Sequence, residues 1–128
     1  MSTQQIYMRF LNLVHALEGH HNSPQIDLDA KKLLDVIGLR HEQKKPLTVT
    51  EAMALDHIAS PATIHRKLDQ LRELGMIDTV FEGKNRRTKY LVPTKAAADY
   101  FANMGKAMQQ AIASAWNKKL MTLLLLLH

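Results

Sequence analysis

A chain of 128 residues, 46% of them hydrophobic, is long enough for one domain with a real core and too short for an additional catalytic domain. Seventeen Lys and Arg against 12 Asp and Glu give a net charge of +5 and a pI near 9.6, a balance that favours a polyanionic partner. The absence of cysteine excludes disulfides and thiolate metal sites, and residues 1 to 20 lack the apolar core and cleavage site of a secretory signal, so a cytoplasmic location is expected.

The first segment, about Thr3 to Glu18, places Ile6, Phe10, Leu13 and Leu17 on one helical stripe and Tyr7, Leu11 and Val14 beside it. So wide an apolar face predicts a helix that packs on two sides. Gly19-His-His-Asn-Ser-Pro24 breaks it. A second helix is expected from Asp27 or Asp29, with Ala30, Leu33, Leu34, Ile37 and His41 at helical spacing and Pro46 as its stop. Thr48-Val-Thr-Glu51 spells a capping box and predicts a short helix to about Leu55.

Ser60-Pro61 is the sharpest local signal: Ser caps a helix and Pro is preorganised for its first position. The helix carries Ile64, Leu68 and Leu71 on one stripe and stops at Gly75. Strand-forming residues follow at Ile77–Phe81 and Thr88–Val92, joined by a hairpin tip at Glu82–Arg87 whose turn Asn85 or Gly83 permits. Thr94 then caps a last helical region that runs nearly to the end of the chain.

This order, helix, tight turn, helix and basic hairpin, predicts a mainly α fold with a small β-hairpin, a winged helix-turn-helix flanked by N- and C-terminal dimerisation helices. Residues 27–93 form the winged helix in this reading, and residues 1–26 and 94–128 the dimerisation segments of a single domain.

Stepping 100° per residue from Ile64 puts Ala62, Arg66, Asp69 and Glu73 on the outward side of the Ser60-capped helix, with Thr63, His65 and Gln70 flanking them. A helix in a DNA major groove needs side chains that hydrogen-bond base edges or pack on thymine methyls, and Ala62, Thr63, His65, Arg66 and Gln70 supply them. Arg66 is the strongest candidate, because a guanidinium reaches guanine O6 and N7 together. Lys84, Arg86, Arg87 and Lys89 make the hairpin a positive patch, with no acidic residue from Gly83 to Ala98, suited to phosphates or the minor groove. Each set has a plainer reading, as solvated charge on a surface helix and a soluble loop.

The span from Leu47 to Phe101, with Ser60-Pro-Ala-Thr-Ile-His-Arg-Lys-Leu68, Leu71-Arg-Glu-Leu-Gly-Met-Ile77, Arg86-Arg-Thr-Lys-Tyr-Leu-Val92 and Thr94-Lys, resembles the MarR-type winged-helix transcriptional regulators. Asn85 stands where that family usually has Asp, and Ala97 where it often has Gly. The resemblance implies a two-fold dimer built from the first and last helices, Pro61–Leu74 in the major groove with Ser60 at its start, and Arg86 or Arg87 in the wing. It implies a possible small-molecule effector, for which no residue pattern marks a pocket.

The dimer is also expected from composition. Ala97, Phe101, Met104, Met108, Ala111 and Ala115 share a face of the last helix, flanked by Tyr100, Ile112 and Trp116. Beyond them Leu120, Met121 and Leu123 to Leu127 form an apolar tail far short of the ~20 residues needed to span a bilayer. The expected interface comprises Ile6, Phe10, Leu13, Leu17, Met108, Ile112, Trp116, Leu120, Leu123, Leu124 and Leu127, with no membrane partner; the alternative is that the two ends cover each other within one chain. His15, Glu18, His20 and His21 offer weak metal-ligand spacing, and neither a metal nor a cofactor is expected. There is no phosphate loop, nucleophile elbow or paired carboxylate, so enzyme activity is not expected. Two other functions fit the scaffold: a winged-helix module that docks a protein, and a plasmid or phage replication or partition protein.

Overall fold

The structure, a computed structural model, describes residues 2–19 and 25–127. It divides into two compact units, Gln25–Asp99 and the described parts of Met1–Pro24 with Tyr100–His128.

In the first unit, α2 (Leu28–Glu42) starts where the Asp27 carboxylate accepts the Ala30 amide proton at 3.0 Å. Its buried residues are Ala30, Leu33, Leu34 and Ile37; His41, expected on that stripe, is exposed. The helix ends ahead of Pro46, through a turn in which Lys44 takes a φ of 60°. β1 (Leu47–Thr48) follows and leads directly into α3 (Val49–Met53). The capping box forms: Thr48 Oγ1 accepts the Glu51 amide at 3.0 Å, and Glu51 Oε1 accepts the Thr48 amide at 3.0 Å. This helix stops at Met53, sooner than its sequence implies.

α4 (Pro61–Glu73) has Ser60 as its cap and Pro61 at its first position. Ile64, Leu68 and Leu71 are fully buried, each worth about 1.5–3 kcal/mol as apolar surface removed from water. α4 packs on α2 and α3. The chain reverses at Gly75, whose φ of 72° is costly for any residue with a β-carbon. Met76 and Ile77 then re-enter the core.

β2 (Ile77–Phe81) and β3 (Lys89–Pro93) pair antiparallel, with Thr79 opposite Leu91 and Phe81 opposite Lys89. The second strand lies one residue later than its composition indicates and ends on Pro93, paired with Ile77. The sheet is also larger than the expected hairpin: β1 joins the other side of β3, Leu47 facing Leu91, to give three strands in the order β1-β3-β2. A two-residue strand that merges into a helix cap carries no periodicity of its own, and its pairing is made with residues more than 40 positions away.

α5 (Lys95–Leu126) begins at Thr94, which accepts the Ala97 amide at 3.3 Å and donates to the Gly75 carbonyl at 2.6 Å. In the second unit, α1 (Thr3–Glu18) opens with a capping box between Ser2 and Gln5, a feature that the apolar stripes of the helix do not reveal. Ala107 and Ala111 of α5 are buried, and Met108, a residue of the expected interface, is 54% exposed. Within this unit the buried line of α5 runs through small residues. Leu13, Ala16 and Leu17 of α1 line a cleft with Asn103, Lys106, Ala107 and Gln110, and Ile6 lines a second with Ile112, Ala115, Trp116 and Lys119.

Candidate nucleic-acid interface

The outward face of α4 emerges from its capping. Ser60 Oγ accepts the Thr63 amide at 3.3 Å and donates to Thr63 Oγ1 at 3.1 Å, and the Arg66 guanidinium donates to the same Thr63 oxygen at 3.0 Å. Thr63 is half-buried and engaged twice, so it orders the first turn. Ala62, His65, Arg66 and Gln70 are exposed beside it. His65 Nδ1 lies 3.4 Å from Asp69 Oδ2, an ion pair when the ring is protonated.

Lys67, adjacent in sequence to Arg66, points elsewhere. Its ammonium donates to Asp27 Oδ2, and only 21% of its side chain is exposed. The hydrogen bond from Lys67 and that from the Ala30 amide hold the Asp27 carboxyl below its ordinary value of 3.8. Glu51 is likewise lowered from 4.5, by its bonds with Thr48 and then by Arg40, whose guanidinium lies 3.4 Å away. Arg40 also donates to the Lys45 carbonyl at 2.8 Å, fastening the end of α2 to the start of α3.

In the hairpin it is Gly83, with a φ of 57°, that takes the left-handed position. Asn85 instead ties the tip together: its side-chain oxygen accepts the Arg87 amide at 2.9 Å and its nitrogen donates to Thr88 Oγ1 at 3.4 Å. Lys84, Arg86, Arg87 and Lys89 are all exposed. They are not equivalent, because the Arg86 guanidinium lies over the Phe81 ring, 5.5 Å from its centroid, and is thereby preorganised.

Helix and hairpin share one surface. A cleft of about 540 Å³ is lined by His65 and Arg72 of α4, Asp78 and Thr79 of β2, Lys89 of β3 and Val49 of α3. Another, about 390 Å³, is lined by Thr48, Val49 and Thr50 with Arg87, Thr88 and Lys89. Sequence pattern does not single out Arg72, Val49 or Thr50, since only the sheet brings them beside the cations.

Among the described residues no group of three or more His, Asp or Glu is placed to hold a metal ion; His20 and His21 lie outside those residues. No helix among them is long and apolar enough to cross a membrane. In the second unit the residues of the expected interface divide. Ile6, Phe10, Leu13 and Leu17 are half-buried, whereas Met108, Ile112, Trp116, Leu120, Leu123, Leu124 and Leu127 are exposed, along with Tyr7 and Met8.

The arrangement is a MarR-type winged-helix fold, mainly helical with a small three-stranded antiparallel sheet. Among solved structures, a transcriptional regulator from Thermotoga maritima superimposes with a TM-score of 0.62 at 13% identity, covering 95% of this chain and 80% of its own. A MarR-like transcriptional regulator from the same organism gives 0.57 at 15% identity, with 92% and 83% covered. FabT of Streptococcus pneumoniae, solved in complex with DNA, gives 0.53 at 22%, with 94% and 87% covered. At identities this low the superpositions establish the fold alone. No family model and no curated protein matches the sequence.

Proposed function

We propose that the protein is a sequence-specific, double-stranded-DNA-binding transcriptional regulator that acts as a cytoplasmic homodimer and not as an enzyme. The observation that carries this reading is the joint exposure of Ala62, His65, Arg66 and Gln70 on α4 beside a hairpin presenting Lys84, Arg86, Arg87 and Lys89, with His65 and Lys89 lining one cleft. A major-groove helix requires the first set, and phosphate or minor-groove contact the second. The DNA complex of FabT, which shares the fold, supports it. In this reading Ser60 and Thr63 hold the first turn at the phosphate edge of the groove, Arg66 reads guanine, and the wing cations grip the backbone.

The second unit supports dimerisation. Ile112, Trp116, Leu120, Met121 and Leu123–Leu127 are all about half exposed or more, an apolar surface that a second copy would cover. Two copies of α4 in successive major grooves require a pseudo-palindrome with half-sites about 10 bp apart.

A mobility-shift assay against random competitor duplex at moderate salt tests the reading. Retention of a preferred duplex supports it, and equal competition by every sequence refutes it. Charge reversal at Arg66, Arg86 and Arg87 that abolished binding of a protein partner while leaving DNA affinity intact would instead establish a protein-docking module.

A further inference from the structure

The outward side of α4 carries a carboxylate, Asp69, two positions along the helix from Lys67 and three from Arg66, where a polyanion would approach. An uncompensated carboxylate there repels phosphate. In the structure it is compensated: Arg72 donates from one terminal nitrogen to Asp69 Oδ1 at 2.7 Å and from Nε to Thr79 Oγ1 of β2 at 2.8 Å. The Arg72 side chain is 34% exposed, more sheltered than the 49% of Asp69. Thr79 sits in the register opposite Leu91, at the middle of the β2–β3 ladder. The planar fork of one guanidinium therefore joins the last turn of α4 to the middle of β2, and it does so through two short, directed bonds.

We propose that Arg72 is a positioning residue for DNA binding: it fixes α4 relative to the wing and screens Asp69, so that helix and hairpin meet the duplex in one preset geometry. The proposal rests on the DNA-binding reading and adds to it a residue that touches neither base nor phosphate. Preset geometry matters because a duplex must be engaged by helix and wing together, and any freedom between them is lost on binding. The other charged groups facing this point are His65 on α4, Asp78 on β2 and Lys89 on β3. Of these, His65 approaches Asp69 through its other oxygen, at 3.4 Å, and relieves it only when protonated. Arg72 supplies the permanent charge.

The test uses the full chain with Arg72→Met, Asp69→Asn, Thr79→Val and the double variant Arg72→Met/Asp69→Asn. Affinity for the selected duplex is measured on folded protein, with melting followed separately. Arg72→Met should weaken binding by about 10-fold at low salt, the scale of a charge-assisted bond, and by less as added salt screens the exposed carboxylate. The double variant should regain part of that loss, because the unscreened carboxylate is gone, and Thr79→Val should lose about 3-fold. A purely structural arginine would lower the melting temperature and leave the affinity of folded protein unchanged, which would overturn the proposal, as would failure of Asp69→Asn to restore binding. A readout on the free protein separates this idea from the DNA-binding reading. The Arg72 Nε proton should be slow to exchange by NMR and become fast in Thr79→Val; rapid exchange in the unaltered protein sinks the positioning role whether or not any duplex is selected.

Discussion

Asp27 is the residue on which the local and tertiary logic of the first unit meet, and replacing it gives a graded result. One oxygen accepts the Ala30 amide at 3.0 Å and the other the Lys67 ammonium from α4. Asp27→Ala removes both: the cap is worth about 1 kcal/mol, and a half-exposed ion pair about 0.5 kcal/mol after solvent screening, giving a loss of about 1.5 kcal/mol. Asp27→Asn keeps a good cap and loses only the charge, so it should cost about 0.5 kcal/mol. The sign of the pH effect follows from the lowered pKa. A carboxylate stabilised in the folded state binds fewer protons there than in the unfolded chain, so its contribution is complete above 3.8 and is lost as pH falls through the lower folded value. Urea unfolding followed by circular dichroism, at intervals from pH 6 down to pH 3, measures this directly. The gap between the unaltered protein and Asp27→Asn should narrow with acidity while that to Asp27→Ala persists in part through the missing cap. A gap to Asp27→Asn that stays constant across the range, or an Asn variant as unstable as the Ala variant, would refute the two-oxygen account.

Arg66→Ala should cost roughly 1–3 kcal/mol on the preferred site and relax base choice at one position, read by binding to a panel of single-base variants. Arg87→Ala, removing an exposed wing cation, should weaken all duplexes alike and reduce the slope of log K against log salt by about one unit, read by a salt titration. Arg86→Ala should do the same, with an added loss because its stacking on Phe81 is preset. Making Leu120, Leu123 and Leu124 polar should convert a dimer into a species near 14.5 kDa by light scattering at micromolar concentration; an unchanged mass in that variant, or a monomer in the unaltered protein, removes the tail from the assembly.

Much of the winged-helix unit is written in capping chemistry, which is local and so readable from sequence. Ser60-Pro61 starts α4, Thr48 and Glu51 start α3, Gly75 stops α4, and Thr94 starts α5, each through the bonds its residue type implies. The parts that escaped are those decided by distant partners. β1 exists because Leu91 offers it a ladder, and Arg72 meets Thr79 across a turn. In α5, Ala107 is buried without having stood out in the sequence, because a small residue admits close packing that hydrophobicity scales do not register. At α2 the helix ends ahead of Pro46 as read, but the left-handed φ at Lys44 carried no signal in its residue type. The exposed face of α4 and the cations of the hairpin were legible residue by residue; that His65 and Lys89 line one cleft was not, since the sheet sets their separation.

Selection of bound duplexes from a randomised pool tests the central claim most directly, because it reads binding, sequence preference and symmetry at once. The account predicts enrichment of a pseudo-palindrome whose half-sites lie about 10 bp apart, with a guanine in each half-site whose preference is lost in Arg66→Ala. A pool that shows no enriched sequence after repeated rounds at moderate salt, or one whose motif is unchanged by Arg66→Ala, would contradict it.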